Sequence, residues 1–125
     1  MYQMRTIKFR AWSIDRQMFV IDGMTIEDIQ QDATQSLELP NIIASEKIVW
    51  QQYTGLNDKN GIEIYDGDIL EHYKGVYYLV EWESVISGSW GARSINRRSY
   101  LPYFREAMNT IIVGNIFENP ELLKR

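Results

Sequence analysis

Cysteine is absent from the 125-residue chain. That excludes disulfides and thiolate metal sites together, and it fits a reducing, cytoplasmic setting. Histidine occurs once, at His72, so one chain cannot build a multi-histidine metal centre and a histidine-based triad has only this residue to draw on. His72 falls in a strand pattern, where a packed or surface role is the ordinary one. No apolar run approaches the length a bilayer requires, and Met1-Tyr2-Gln3-Met4-Arg5 lacks an apolar signal core. Neither secretion nor membrane spanning is expected. Cations are outnumbered, with 13 Lys and Arg against 17 Asp and Glu and a formal charge of −4. A protein of that sign is repelled from polyanions at long range, which disfavours indiscriminate nucleic-acid binding. Phosphate-cradling glycine loops and dinucleotide fingerprints are also missing.

What is present points to short strands and tight turns. Aromatic residues make up 13 % of the chain and glycines are spread along it, as in small β-rich domains. At this length one domain with a single core is expected. The most informative stretch runs from Gln52 to Leu70. An apolar run from Ile48 ends at Tyr53, and Asn57-Asp58-Lys59-Asn60-Gly61 supplies the residues of a hairpin reversal. Ile62 and Ile64 then alternate with Glu63 and Tyr65. Asp66-Gly67-Asp68 turns the chain again, with carboxylates able to accept from nearby amides, and Ile69-Leu70 begins another strand.

Tyr53-Thr54-Gly55-Leu56, Asp58-Lys59-Asn60-Gly61, Glu63-Ile64-Tyr65 and Gly67-Asp68-Ile69 together resemble the signature of the YopX family of phage and prophage proteins. Ile7-Lys8-Phe9-Arg10-Ala11-Trp12 is similar to that family's opening, and Val113-Gly114-Asn115-Ile116-Phe117-Glu118-Asn119-Pro120-Glu121-Leu122 to its close. The three matches stand in order across nearly the whole chain, with 23–47 and 84–110 matching loosely. The resemblance implies a phage or prophage protein. It carries over no activity, cofactor or catalytic residue.

Taken in order, residues 5–22 read as an N-terminal hairpin. Ile7, Phe9 and Ala11 lie on one face and Lys8, Arg10 and Trp12 on the other, read as solvated. Met18-Phe19-Val20-Ile21 returns, and Asp22-Gly23 ends the pair. Thr25 is placed to cap a short helix carrying Ile26, Ile29 and Ala33 at helical spacing. The polar remainder of 23–47 reads as a loop-rich insertion with at most a brief edge strand. Residues 48–118 are expected to form a compact SH3-like β-barrel. Within it Val76, Tyr78, Val80 and Trp82 share a face, Tyr103–Asn109 makes one helical turn, and Gly114 marks a bulge or a close approach. Over 119–125, Asn119 caps a last helical turn with Pro120 in its first position. The fold class is therefore mainly β, α+β at most, with one or two short helices.

Two clusters invite functional readings. Glu63, Asp66, Asp68 and Glu71 could hold a hard cation or act as an acid and base pair, but turn capping explains them more simply. An EF-hand loop from Asp58 fails, since Gly61 falls at position four instead of six. The second cluster is the one basic window. Between Glu83 and Glu106 there is no acidic residue, while Arg93, Arg97, Arg98 and Arg105 accompany Trp90, Tyr100, Tyr103 and Phe104. Arginines on phosphates and bases stacked on rings would make it a single-stranded nucleic-acid contact. Equally, the aromatics can be core and the arginines can pair with Glu81, Glu83 or Glu106. No catalytic set, cofactor site or metal site is expected. The leading functional expectation is a non-catalytic module that binds a protein partner or assembles with itself, with nucleic-acid binding second.

Overall fold

The computed structural model describes residues 6–35, 38–83, 89–95 and 99–124. They form strands β1 (Lys8–Ser13), β2 (Met18–Thr25), β3 (Ile48–Asn57), β4 (Glu63–Tyr65), β5 (Asp68–Tyr73), β6 (Val76–Glu83), β7 (Ser89–Ser94) and β8 (Ile111–Asn115), with helices α1 (Ile26–Gln35) and α2 (Glu38–Ser45). Two 3₁₀ helices, Phe104–Asn109 and Pro120–Lys124, complete the described elements. The strands pair in two four-stranded sheets, ordered β2-β1-β3-β4 and β7-β6-β5-β8. The mainly-β expectation therefore holds. No ladder among the described residues joins β7 to β8 to close the second sheet on itself. None of the described helices is long and apolar enough to cross a membrane.

The chain divides into two compact units, 1–53 and 54–125. In the first, β1 lies between β2 and β3, both antiparallel to it. Ala11 and Ile21 are buried, with Val20, Met24, Ile29, Ile43 and Ile48 packed around them. The expected hairpin forms, but β2 does not stop at Asp22-Gly23. Its pairing with β1 slips between Phe9 and Ala11, so the chain absorbs an extra residue there as a bulge and continues to Thr25. The β1–β2 turn is held by Glu46, which accepts from Ser13 Oγ at 2.7 Å and from Arg16 Nε at 2.7 Å.

A second correction concerns the face of Lys8, Arg10 and Trp12. It is not solvated: Arg10 is only 8 % exposed and Trp12 is buried. The Arg10 guanidinium lies 4.8 Å from the Phe19 ring centroid and its Nε donates to Gln51 Oε1 at 2.7 Å. Gln51 is itself buried. A central strand is covered on both faces, and here the polar side is filled by a cation satisfied laterally from β3.

The third correction is at 30–47, where helix replaces the expected loop and edge strand. Thr25 Oγ1 accepts from Asp28 N at 3.1 Å while Asp28 Oδ2 accepts from Thr25 N at 3.0 Å, a reciprocal capping box that starts α1. Pro40 falls in the first turn of α2, where a backbone N–H has no acceptor within the helix, so it does not break it.

In the second unit, Ile64, Leu70, Val80, Ala92, Leu101 and Ala107 form the buried core, with Tyr78, Trp90, Phe104 and Ile112 packed against it. β6 sits between β5 and β7, all antiparallel, and β8 pairs with the other side of β5. The face expected to carry Val76, Tyr78, Val80 and Trp82 packs on the core through Tyr78 and Val80, while Trp82 toward its end is exposed. The helical turn expected at Tyr103–Asn109 is the 3₁₀ helix there.

Candidate functional site

The 52–70 stretch folds as a set of interlocked turns in which Asp58 is central. Asp58 N donates to Ile62 O at 2.8 Å and Gly61 N to Asp58 O at 3.0 Å, which closes the β3–β4 hairpin. Only Gly61, at φ +80°, takes the left-handed conformation in this turn, which frees Asn60 from that role. Asp58 Oδ1 accepts from Asn60 N and Ile62 N, both at 2.9 Å. Its Oδ2 accepts from Ile112 N in β8 at 3.0 Å. Lys59 N adds a bond to Thr110 O at 2.8 Å. The carboxylate thus holds three amides at once and covers the edge of β8, which would otherwise present unpaired groups.

The next turn is built the same way. Asp68, buried, accepts from Tyr65 N through Oδ2 at 2.7 Å. Gly67 N donates to Val80 O at 2.9 Å and Gly67 O accepts from Ile116 N at 3.0 Å. At φ +85° and buried, Gly67 inserts its bare backbone between β6 and the end of β8, in a conformation where a side chain would be strained. Glu71 Oε2 accepts from Gly75 N at 3.2 Å, and Glu63 Oε1 from the Tyr65 hydroxyl at 3.2 Å. Asp68 and Glu71 therefore close turns. Among the described residues, no group of three or more His, Asp or Glu side chains is placed to hold a metal ion. His72 is half-buried in β5 between the rings of Tyr73, at 4.4 Å, and Tyr78, at 6.3 Å.

The C-terminal segment is likewise architectural. Asn115 Oδ1 accepts from Phe117 N and Glu118 N at 3.0 and 2.9 Å, and its Nδ2 donates to Glu118 Oε1 at 2.7 Å. Asn119 turns its side chain back, Oδ1 accepting from Asn115 N at 3.2 Å, instead of forward over the last helical turn. It lies so close to Gly114 that a Cβ there would stand 2.5–2.8 Å from Asn119 Oδ1, Cγ and Cβ. The β5–β8 register also slips opposite Val113. Gly114 is thus at both a bulge and a close approach.

The basic window does not assemble as one surface. The β6–β7 register runs without a slip, pairing Val80 with Ala92 and Trp82 with Trp90. Trp90 accordingly faces the core, and it meets Trp82 edge-on with ring centroids 5.3 Å apart. Strand alternation sends Arg93 to the opposite face, where its Nε donates to Glu81 Oε1 at 2.9 Å. Arg105 lies with its guanidinium 5.3 Å from the centroid of its neighbour Tyr103. Arg97 and Arg98 lie outside the described residues. Trp90 and Arg93 cannot therefore serve one stacked strand together on the same face, and Arg93 has the acidic partner that the alternative reading required.

One feature of β7 escaped the sequence. Ser94 N donates to Ser99 O at 2.7 Å and Ala92 O accepts from Leu101 N at 2.9 Å, so residues 99–101 cover the later half of its outer edge. Alternation points the Trp90 backbone N–H and carbonyl to that same side. Beyond Leu101 the covering segment makes no further ladder bond among the described residues. The buried Trp90 Nε1 also has no acceptor among the described residues. Beside it Trp82 is 48 % exposed.

The family model for YopX protein matches residues 8–124 of the chain. No curated protein matches it. Among solved structures it is similar to the crystal structure of protein EF1440 from Enterococcus faecalis, with a TM-score of 0.61 and 21 % identity over 96 % of this chain and 99 % of that one. That likeness is one of fold.

Proposed function

Since the chain belongs to the YopX family, and its signature residues are committed to turn architecture, we propose that it is a non-catalytic module that binds a protein partner or a second copy of itself. The observation that carries this reading is the open end of β7. There the main-chain groups of Trp90 and its indole N–H lack partners among the described residues, beside the exposed ring of Trp82. An extended segment laid along that edge would pair with the main-chain groups, in the manner of strand addition. The opposite edge of the same sheet is already covered by Asp58 at Ile112. The SH3-like barrel expected for 48–118 is part of the proposal, supported by Ile64 of β4 packing with Leu70, Val80 and Ala92 of the second sheet. So are the phage or prophage setting and the cytoplasmic location.

The test is a sedimentation series over protein concentration, joined to a nuclease-treated pull-down, with wild type beside Trp82→Lys. Association or partner recovery that survives nuclease and fails in the variant supports the reading. A strictly monomeric chain that recovers no protein would overturn it. Nucleic acid recovered in a manner abolished by Arg93, Arg97 and Arg98→Ala would favour the second reading instead.

A further inference from the structure

We infer that Asn60 is a site of spontaneous covalent modification, in which its amide is converted to a carboxylate through a cyclic imide with Gly61. The chain has seven asparagines, and only Asn60 precedes glycine. The reaction needs the following backbone nitrogen to reach the side-chain carbonyl carbon, and a side chain on the following residue obstructs that approach. At Gly61 no such side chain exists, and no atom beyond the chain neighbours lies within 4 Å of where a Cβ would stand. Both residues are exposed to water. The Asn60 side-chain amide has no hydrogen-bond partner among the described residues; its backbone N–H is engaged by Asp58 Oδ1. The attacking Gly61 N–H donates to Asp58 O at 3.0 Å, a single turn bond that must open before the ring closes.

None of the other asparagines is followed by glycine. Asn115 is buried and its amide makes three hydrogen bonds. Asn57 donates to Gly61 O at 3.2 Å. Asn119 bonds Asn115 and precedes Pro120, whose nitrogen has no proton to lose. Asn41, Asn96 and Asn109 precede isoleucine, arginine and threonine.

In the first step Gly61 N forms a bond to Asn60 Cγ, the Cγ–Nδ2 bond breaks, and ammonia leaves with the proton from Gly61. Water then opens the five-membered imide at one of its two carbonyl–nitrogen bonds. One opening yields aspartate; the other yields isoaspartate, with an additional methylene in the main chain. The location gives the change a consequence. Asp58 Oδ1 spans this position, holding Asn60 N and Ile62 N together. A longer main chain between those two amides breaks that clamp, and either product places a new negative charge two residues from the Asp58 carboxylate.

The folded full-length chain is incubated at mildly alkaline pH and mapped by peptide mass spectrometry, beside Asn60→Gln, whose ring closure would need a six-membered imide. Closure at Asn60 needs only the Gly61 N–H to leave Asp58 O, whereas every other asparagine is followed by a residue with a side chain or by proline, so conversion at Asn60 is expected to lead each of the others. It is expected as a mixture of the two products, with no conversion at position 60 in the variant. Two results would overturn the inference: another asparagine converting first, or Asn60 unchanged in the folded chain while it converts in the urea-unfolded one.

Discussion

The carboxylate of Asp58 accepts a hydrogen bond from the backbone N–H of Ile112 at 3.0 Å, across a separation of 54 positions. The same side chain closes its own hairpin through Asn60 N and Ile62 N. A local turn and a long-range strand edge thus share one residue, and the turn cannot change without consequence for β8.

That sharing sets the effect of Asp58→Ala. Three N–H groups lose a charged acceptor, and a net loss of about 3 kcal/mol is expected from desolvated donors left unpaired. Asp58→Asn keeps one oxygen for its own hairpin but turns a donor toward Ile112, and should cost less than the alanine change. Urea unfolding of the three proteins measures both; equal stability of Asp58→Ala and wild type would refute the role.

Gly114→Ala tests the contact with Asn119. A methyl group 2.5–2.8 Å from Oδ1, Cγ and Cβ must displace that side chain, at about 1–3 kcal/mol. The crowding includes the Asn119 Cβ, so Asn119→Ala should relieve it only in part. Asn119→Gly should relieve it further. A double-mutant cycle reads this as non-additivity, and simple additivity would place the conflict elsewhere.

The start of α1 carries a pH dependence. The hydrogen bonds from Thr25, backbone first and side chain second, lower the pKa of Asp28 from its ordinary 3.8. A folded-state value below the unfolded one means the contribution is fully present above the unfolded pKa and is lost as the pH falls through the folded one. The stability difference between wild type and Asp28→Asn should therefore be constant near neutrality and shrink in acid below about pH 4. Thr25→Ala should cost about 1 kcal/mol at neutral pH. Thermal melts across a pH series provide the comparison, and a difference that grows on acidification would contradict the assignment.

Trp90 and Arg93 should respond differently because they face opposite sides of β7. Trp90→Ala empties a ring site in the core and is expected to cost about 3–5 kcal/mol. Trp90→Phe keeps much of the ring and removes an indole N–H that has no acceptor among the described residues, so its cost should be far smaller. Arg93→Ala breaks an ion pair whose side chains are 43 % and 34 % exposed, where a change of under about 1 kcal/mol is expected. Chemical denaturation ranks the three; an Arg93→Ala loss comparable with Trp90→Ala would reverse this account.

Much of the architecture could be read locally. Thr25 before Ile26-Glu27-Asp28, glycine after Asn60, and the even-numbered apolar residues of β6 are short-range signals, and each appears in the structure where the chain places it. The separation of Trp90 from Arg93 was readable by the same alternation, since positions three apart in a strand face opposite ways. Composition drew them into one window, and geometry divides them. Arg10 was not readable. Its burial depends on Gln51, 41 positions away, and on Phe19 across the hairpin. The helix through Pro40 was missed because a proline breaks a helix in its interior and is tolerated in its first turn, and sequence alone did not say where that turn began.

The sequence by itself determined the family, the mainly-β class and the turns between residues 52 and 70, because those rest on local motifs, backbone preferences and side-chain periods that act over a few residues. Tertiary structure decided which polar residues are spent on architecture and which strand edge stays open. Asp58 acquires its role only when β8 arrives beside its turn, and the pairing of residues 99–101 with β7 stops short of Trp90 among the described residues.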